Sequence, residues 1–320
     1  MLIRLITPAA RRSKSGNRAT ADRWARILGD LGHRVRVAQN YAGEDADLMV
    51  ALHAWRSAES IRCFRDRHPE RPLIVALTGT DIYRFQHSHE ETTRRSMALA
   101  DWMVCLHDRV GDAIPAEFRP RLTTIPQSAA PLPRPRAPSR RHFDICVIGH
   151  LRQEKDSLRA AYAARGLAAD SRLRVIHLGK AHNATWARRA TAEMARNPRY
   201  LWRGEVPRWA VRREFRRTRA MVISSRMEGG ANVVSEAVVA GVPVIASDIP
   251  GNTGLLGDDY PGIYPVGDTA ALRALLRRAE GEAGFLDDLA RRCEALAPRF
   301  SPAREAAGWR AVLARVTSPR

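Results

Sequence analysis

The sequence predicts an α/β protein made of two doubly wound halves, each a parallel sheet covered by helices on both faces. Three observations carry this. Short apolar runs alternate with longer helical stretches from the first residue onward, the pattern of repeated βα units. The 320 residues amount to two domains at about 150 residues each. Between the halves, residues 130–141 hold four prolines in twelve positions, which excludes a helix or a central strand and reads as a linker.

In the first half the strand candidates are Leu2–Ile6, Arg34–Ala38, Leu48–Leu52, Leu73–Leu77, 102–106 and 122–125. Between them, 18–31 places Ala21, Trp24, Ala25, Leu28 and Leu31 near helical spacing and stops at Gly32, an expected C-cap. Segments 57–67 and 90–100 read as helices in the same way. After the linker the alternation restarts with strands at Phe143–Ile148, 174–178, 201–202, 221–223, 242–246 and 263–266 and helices at 233–240 and 270–278. The domains are therefore expected at 1–135 and 141–300. The tail, 301–320, carries a helix over 303–316 that can fold back across the first domain.

Hydrophobic residues make up 45% of the chain and charged residues 27%, and Lys+Arg 53 against Asp+Glu 34 leaves +19. Lys14, Lys155 and Lys180 are the only lysines, so this is an arginine charge. Beside abundant alanine, it is what a GC-rich genome writes on solvated surfaces. The arginines form no dense stripe interleaved with aromatics, so a nucleic-acid module is set aside and no nucleic-acid partner is expected. The excess still favours anionic ligands.

Cys63, Cys105, Cys146 and Cys293 lie far apart with no C-x-x-C pair, which indicates neither a zinc knuckle nor a disulfide framework. The first eight residues are too short and interrupted for a signal h-region, and no run approaches a membrane span. A cytoplasmic protein without stable membrane association is expected.

Two doubly wound domains facing each other would leave a cleft between the carboxyl ends of both sheets, so function is expected in loops that follow strands. The most specific such loop follows 221–225 and reads Arg226-Met-Glu-Gly-Gly-Ala-Asn-Val-Val-Ser-Glu236. The backbone amides of Gly229, Gly230 and Ala231 can face a ligand without side-chain obstruction, and a helix beginning near Asn232 offers its positive end to a phosphate. Glu228 and Glu236 stand eight apart and suit hydroxyl groups of one ligand.

This string, continued by Ala237, Gly241, Pro243, Val244 and Ala246, resembles the signature of GT-B glycosyltransferases of the large retaining family. The resemblance implies that Glu236 holds the ribose hydroxyls of a nucleotide, that Glu228 contacts the donor sugar, and that Gly229 and Gly230 lie beside the diphosphate. Ile148-Gly-His-Leu-Arg-Gln-Glu-Lys-Asp156 is similar to the family's G-R-L-x-x-x-K, whose cations clamp the diphosphate. Lys155 matches. The family arginine is His150 here, so either Arg152 supplies the missing cation or His150 serves as a donor, and Arg152 is favoured. The segments ending at Gly179-Lys180 and Val206 sit where family members wrap the uracil ring. In the first half, Thr7 to Arg18 resembles the loop that approaches donor phosphates and acceptor, with Gly16, Asn17 and Arg18 nearest the helix start.

Two further loops, 53–56 and 78–84, leave strand ends. Asp81 with Thr80 either orients a sugar hydroxyl or the acceptor, or Asp81 caps a helix. His53 is either a base or a neutral core residue. The donor charge is met by Arg, Lys and helix dipole and no Asp-x-Asp cluster is evident, so neither a divalent metal nor another cofactor is expected.

The chain as a whole is similar to a narrower group, the selenosugar synthases of selenoneine biosynthesis, in 7–8 with 15–17, in 51–54, 77–83, 149–156 and 225–232. That resemblance makes His150 expected. It implies transfer of a sugar from UDP-N-acetylglucosamine or UDP-glucose to the selenium of selenophosphate. An ordinary hexosyltransferase acting on an alcohol, lipid or sugar is the first alternative, and the lack of a long apolar or aromatic acceptor surface in the first-half loops speaks against it. A UDP-sugar 2-epimerase is the second.

Overall fold

The computed structural model describes residues 1–13 and 15–318; Lys14 and the last two residues, within the expected donor loop and tail, lie outside the described residues. One unit takes Met1–Gln127, Glu228–Ala231 and the chain from Pro302 onward; the other takes Ser128–Met227 and Asn232–Ser301.

The first unit holds β1 (Leu2–Ile6), β2 (Arg34–Ala38), β3 (Leu48–Leu52), β4 (Leu73–Leu77), β5 (Trp102–Cys105) and β6 (Leu122–Thr124) in the order β2-β1-β3-β4-β5-β6. Every pairing is parallel. All five residues of both β3 and β4 are buried, as expected where helices cover both sheet faces. Alternate residues divide between two cores: Met49 and Ala51 join Phe64, Met97 and Phe118, while Leu48, Val50 and Leu52 join Trp24, Leu28 and Trp309. The helix Gly16–Asp30 ends with Gly32 in the left-handed region. The helix Pro302–Thr317 packs on it through Trp24 and Trp309, whose rings meet edge-on at 4.8 Å, and through buried Glu305, which accepts from Trp24 Nε1 at 2.8 Å.

The second unit holds β7 (Phe143–Ile148), β8 (Leu173–Leu178), β9 (Tyr200–Trp202), β10 (Ala220–Ile223), β11 (Val244–Ser247) and β12 (Ile263–Tyr264) in the order β12-β11-β10-β7-β8-β9. These pairings are also all parallel. The α/β, doubly wound reading of the sequence is borne out. The proline-rich stretch makes no regular element; Ala137 and Ser139 donate to the carbonyls of Arg216 and Arg217, and largely buried Arg136 caps the Gly241 and Thr218 carbonyls. Among the described residues no helix is long and apolar enough to cross a membrane.

In each sheet the first strand lies between strands reached by connections running in opposite directions, β1 between β2 and β3, and β7 between β10 and β8. The loops at the carboxyl ends beside such a switch point are where open α/β sheets bind ligands.

Candidate active site

In the second unit, the loop after β7 is built before any ligand arrives. Buried Ser157 donates to the His150 carbonyl at 3.1 Å and accepts from the Arg152 N–H at 3.2 Å. Asp156 follows the turn Gln153–Lys155 in the left-handed conformation, φ 43, which asparagine and aspartate tolerate better than most residues. Its carboxylate holds Arg159 through two hydrogen bonds, 2.9 and 3.3 Å, and Arg159 continues to Thr269 Oγ1 at 2.6 Å. Arg152 is exposed and Lys155 half-buried on this braced turn.

The loop after β10 joins it. The Arg226 N–H donates to the Glu154 carbonyl at 2.8 Å, and its guanidinium lies 4.0 Å from Asp156. Arg226 was missed as a candidate, although its place directly after a strand and two residues before Glu228 was a usable signal.

On the other side of β7, the 149–151 and 179–182 segments are zipped together. Lys180 N–H donates to His150 Nδ1 at 3.1 Å, and Leu151 and Lys180 join through their backbones at 2.9 Å. His150 thus ties two loops, one nitrogen being spent on that tie. A Cβ on Gly179 would lie 1.8 Å from the Gly149 carbonyl oxygen, so only glycine fits there. His177 is fully buried beneath: its Nε2 meets the Gly149 carbonyl at 3.0 Å and its Nδ1 meets Tyr200 Oη at 2.9 Å. Burial, partly opposed by the Gly149 bond, brings its pKa down to about 4. Nearby, a hollow of about 460 Å³ is lined by Lys180, His182, Asn183, Trp202, Gly204 and Glu205. Val206 is half-buried beside this stretch of chain. Glu236 projects from the helix Asn232–Val239, half-buried, with Arg208 at 3.9 Å.

In the first unit, Gly16 and Asn17 open the helix Gly16–Asp30, capped by Ser15. Arg18 was expected to meet the acceptor. Its guanidinium lies along its own helix beside Asp22, at 3.1 and 2.8 Å. Asp81 takes the structural alternative: it is fully buried and its carboxylate accepts from the N–H groups of Ala54, Thr78, Gly79 and Ile82 at 2.7–3.2 Å. The carboxylate therefore pins the loops of β3 and β4 together and is spent on the fold. His53, 1% exposed, likewise has both ring nitrogens engaged, by Arg56 N–H and Thr80 Oγ1, which removes it as a base in contact with substrate.

Half-buried Glu228 leads into a backbone that runs against the same loops. A Cβ on Gly229 would lie 2.0 Å from the Thr78 carbonyl oxygen, and one on Gly230, φ 111, would lie 2.6 Å from Leu106 Cβ. The two glycines are thus demanded by backbone approach within the unit. Ala231 is buried, and half-buried Asn232 starts the next helix. In these loops half-buried Trp55 stacks on buried Phe85 at 3.9 Å, with exposed His89 beside both. The apolar-run pattern could not show that residues thirty positions apart would stack.

The chain is similar to Anabaena Alr3699/HepE solved with UDP, at 14% identity and a TM-score of 0.79, over 98% of this chain and 99% of that one. It is similar in the same way to the lipopolysaccharide outer core galactosyltransferase WaaB, at 12% identity and a TM-score of 0.72, over 98% and 99%. For S. aureus TarM the values are 12% and 0.65, over 85% of this chain and 55% of that one. These likenesses show a shared fold, GT-B. The family model described as glycosyl transferases group 1 matches residues 134–294, about half of the chain, and the chain belongs to that family.

Proposed function

We propose that this glycosyltransferase moves a sugar from UDP-N-acetylglucosamine or UDP-glucose to the selenium of selenophosphate. The observation that carries the donor half is the set of cations at the second switch point: Arg152 and Lys155 on the braced turn after β7, with Arg226 beside it after β10. Such a set suits a diphosphate leaving group, whose charge grows as its bond to the anomeric carbon breaks. Glu236 would accept from ribose hydroxyls, and the hollow beside Trp202 and Gly204 has room for a nucleobase. The solved relative Alr3699/HepE holds UDP-glucose, which supports a UDP-sugar donor here.

The acceptor half rests on the resemblance to selenosugar synthases and on chemistry. Selenophosphate is anionic and already nucleophilic. An alcohol would need a base or help from the leaving phosphate; Asp81 and His53 are spent on the fold, and an acceptor that needs no deprotonation requires neither. Selenium bonds to the anomeric carbon as the bond to UDP breaks, and water then cleaves the Se–P bond to release phosphate and the 1-seleno-sugar.

One observation favours a second reading, hexosyl transfer to an alcohol or sugar: half-buried Trp55 and exposed His89 lie together over buried Phe85, and aromatic faces suit sugar rings. Incubation of the full chain with each UDP-sugar and selenophosphate, glycerol or a simple hexoside, read by mass spectrometry, separates the readings. UDP release with selenophosphate is expected; release only with an alcohol would sink the selenium reading, and turnover of UDP-sugar without acceptor would point to an epimerase.

A further inference from the structure

The helix Arg208–Arg217 lies wholly within the second unit and turns two different faces to its surroundings. On one face Phe215 is buried and Val211 half-buried. Arg212 and Arg216 reach from the helix to the proline-rich stretch and donate to the carbonyls of Ala130 and Pro135, both at 3.1 Å. These contacts hold the helix on its unit and spend two of its arginines. The other face carries Trp209, Arg213 and Arg217, four residues apart and so aligned along one stripe, and all three are exposed. Trp209, 63% exposed, is the most exposed large apolar side chain among the described residues. The Arg213 guanidinium stands over its ring, 5.2 Å from the centre. Neither Arg213 nor Arg217 is bound to a carboxylate among the described residues. Glu214, the one acid of the helix, is half-buried and feels both charges without an ion pair. Exposed Arg134 stands just before Pro135, whose carbonyl Arg216 holds, and brings a further cation beside the end of the helix.

We propose that the stripe of Trp209, Arg213 and Arg217 is a docking surface for anionic lipid, on which the protein rests reversibly at a membrane. One exposed apolar side chain is ordinary on a protein surface. An indole set in line with unspent guanidiniums on the outer face of a packed helix is the pattern of helices that lie in a membrane interface. Lipid phosphates accept from the guanidiniums, and an indole settles at headgroup depth with its ring against acyl chains and its N–H in the polar layer. A single-stranded nucleic acid would use successive aromatic faces along a basic groove, and the stripe offers one ring. With one indole and a few charges the contact is weak and salt-sensitive, a reversible landing rather than a stable anchor. It does not depend on which acceptor the enzyme uses.

The test sediments the full chain with vesicles of phosphatidylcholine alone and of phosphatidylcholine and phosphatidylglycerol in equal amounts. The variants are Trp209→Ala, the pair Arg213→Gln with Arg217→Gln, and a charge-matched pair from the first unit, Arg26→Gln with Arg36→Gln, both exposed there. Wild type should partition onto the anionic vesicles and stay off the neutral ones. Each stripe arginine removed should lower partitioning about fivefold, the usual worth of a basic residue near an anionic surface, and Trp209→Ala should lower it about tenfold, as loss of a partly buried indole does. The charge-matched pair should stay near wild type. Melting temperatures should hold throughout, because every substituted side chain is exposed. The proposal is overturned if wild type stays in solution with anionic vesicles, if the charge-matched pair loses as much as the stripe pair, so that only net charge is read, or if Trp209→Ala partitions as wild type does. Capture by a single-stranded oligonucleotide with no vesicle binding would overturn it as well.

Discussion

Acidification should weaken the fold through His177, and the structure sets the size of the effect. The imidazole is fully buried, donating from Nε2 to the Gly149 carbonyl and accepting at Nδ1 from Tyr200. Burial brings its pKa from 6.5 to about 4 in the folded protein. In the unfolded chain the ring charges near 6.5, so between those values the unfolded state binds a proton that the native state refuses. Stability is thus fully present above about pH 6.5 and falls toward pH 4, by about 3 kcal/mol in total at 1.36 kcal/mol per unit. Urea unfolding of the wild type and His177→Gln at pH 7, 6, 5 and 4.5 isolates the contribution, since the other histidines act equally in both. The wild type should lose about 2 kcal/mol more than the variant between pH 7 and pH 5. Parallel stability curves would refute the assignment of a neutral, doubly bonded ring.

Glu236→Gln should weaken UDP-sugar binding about tenfold, because a neutral amide accepts less strongly from ribose hydroxyls; calorimetry with UDP-sugar checks it. Arg152→Ala should lower kcat by tenfold or more while leaving the melting temperature near wild type, since the side chain is exposed and its loop is held by Ser157 and Asp156. Gly229→Ala should destabilise by about 1–3 kcal/mol in denaturant melts, the usual cost of overpacking, because its Cβ would meet the Thr78 carbonyl at 2.0 Å.

The arginines illustrate how composition and structure answer different questions. In the sequence they look like a surface habit of base composition. In the folded chain many are brackets for backbone carbonyls: Arg65 on Leu99 and Pro69, Arg136 on Thr218, Arg199 on Ala168, Arg219 on Ser139 and Arg273 on Ala163. A guanidinium fork can meet two carbonyls at once, which a lysine ammonium on a flexible stem does less well. The +19 is therefore in part loop architecture, and the cations of the candidate site are a small subset of it.

The sequence by itself determined the strands, their parallel arrangement and the loops that leave their carboxyl ends, because apolar period, glycine and proline act over a few residues. It also put Arg152 and Lys155 on such a loop and Glu236 in the helix that follows another. Tertiary structure alone decided what the polar side chains there do. Asp81 could have met a substrate until Ala54, 27 residues earlier, joined Thr78 and Gly79 in donating to it. Gly229 was required by the Thr78 carbonyl rather than by any property of its own segment. A hydrogen bond's partner is chosen by which distant backbone folds alongside, and periodicity carries no record of that choice.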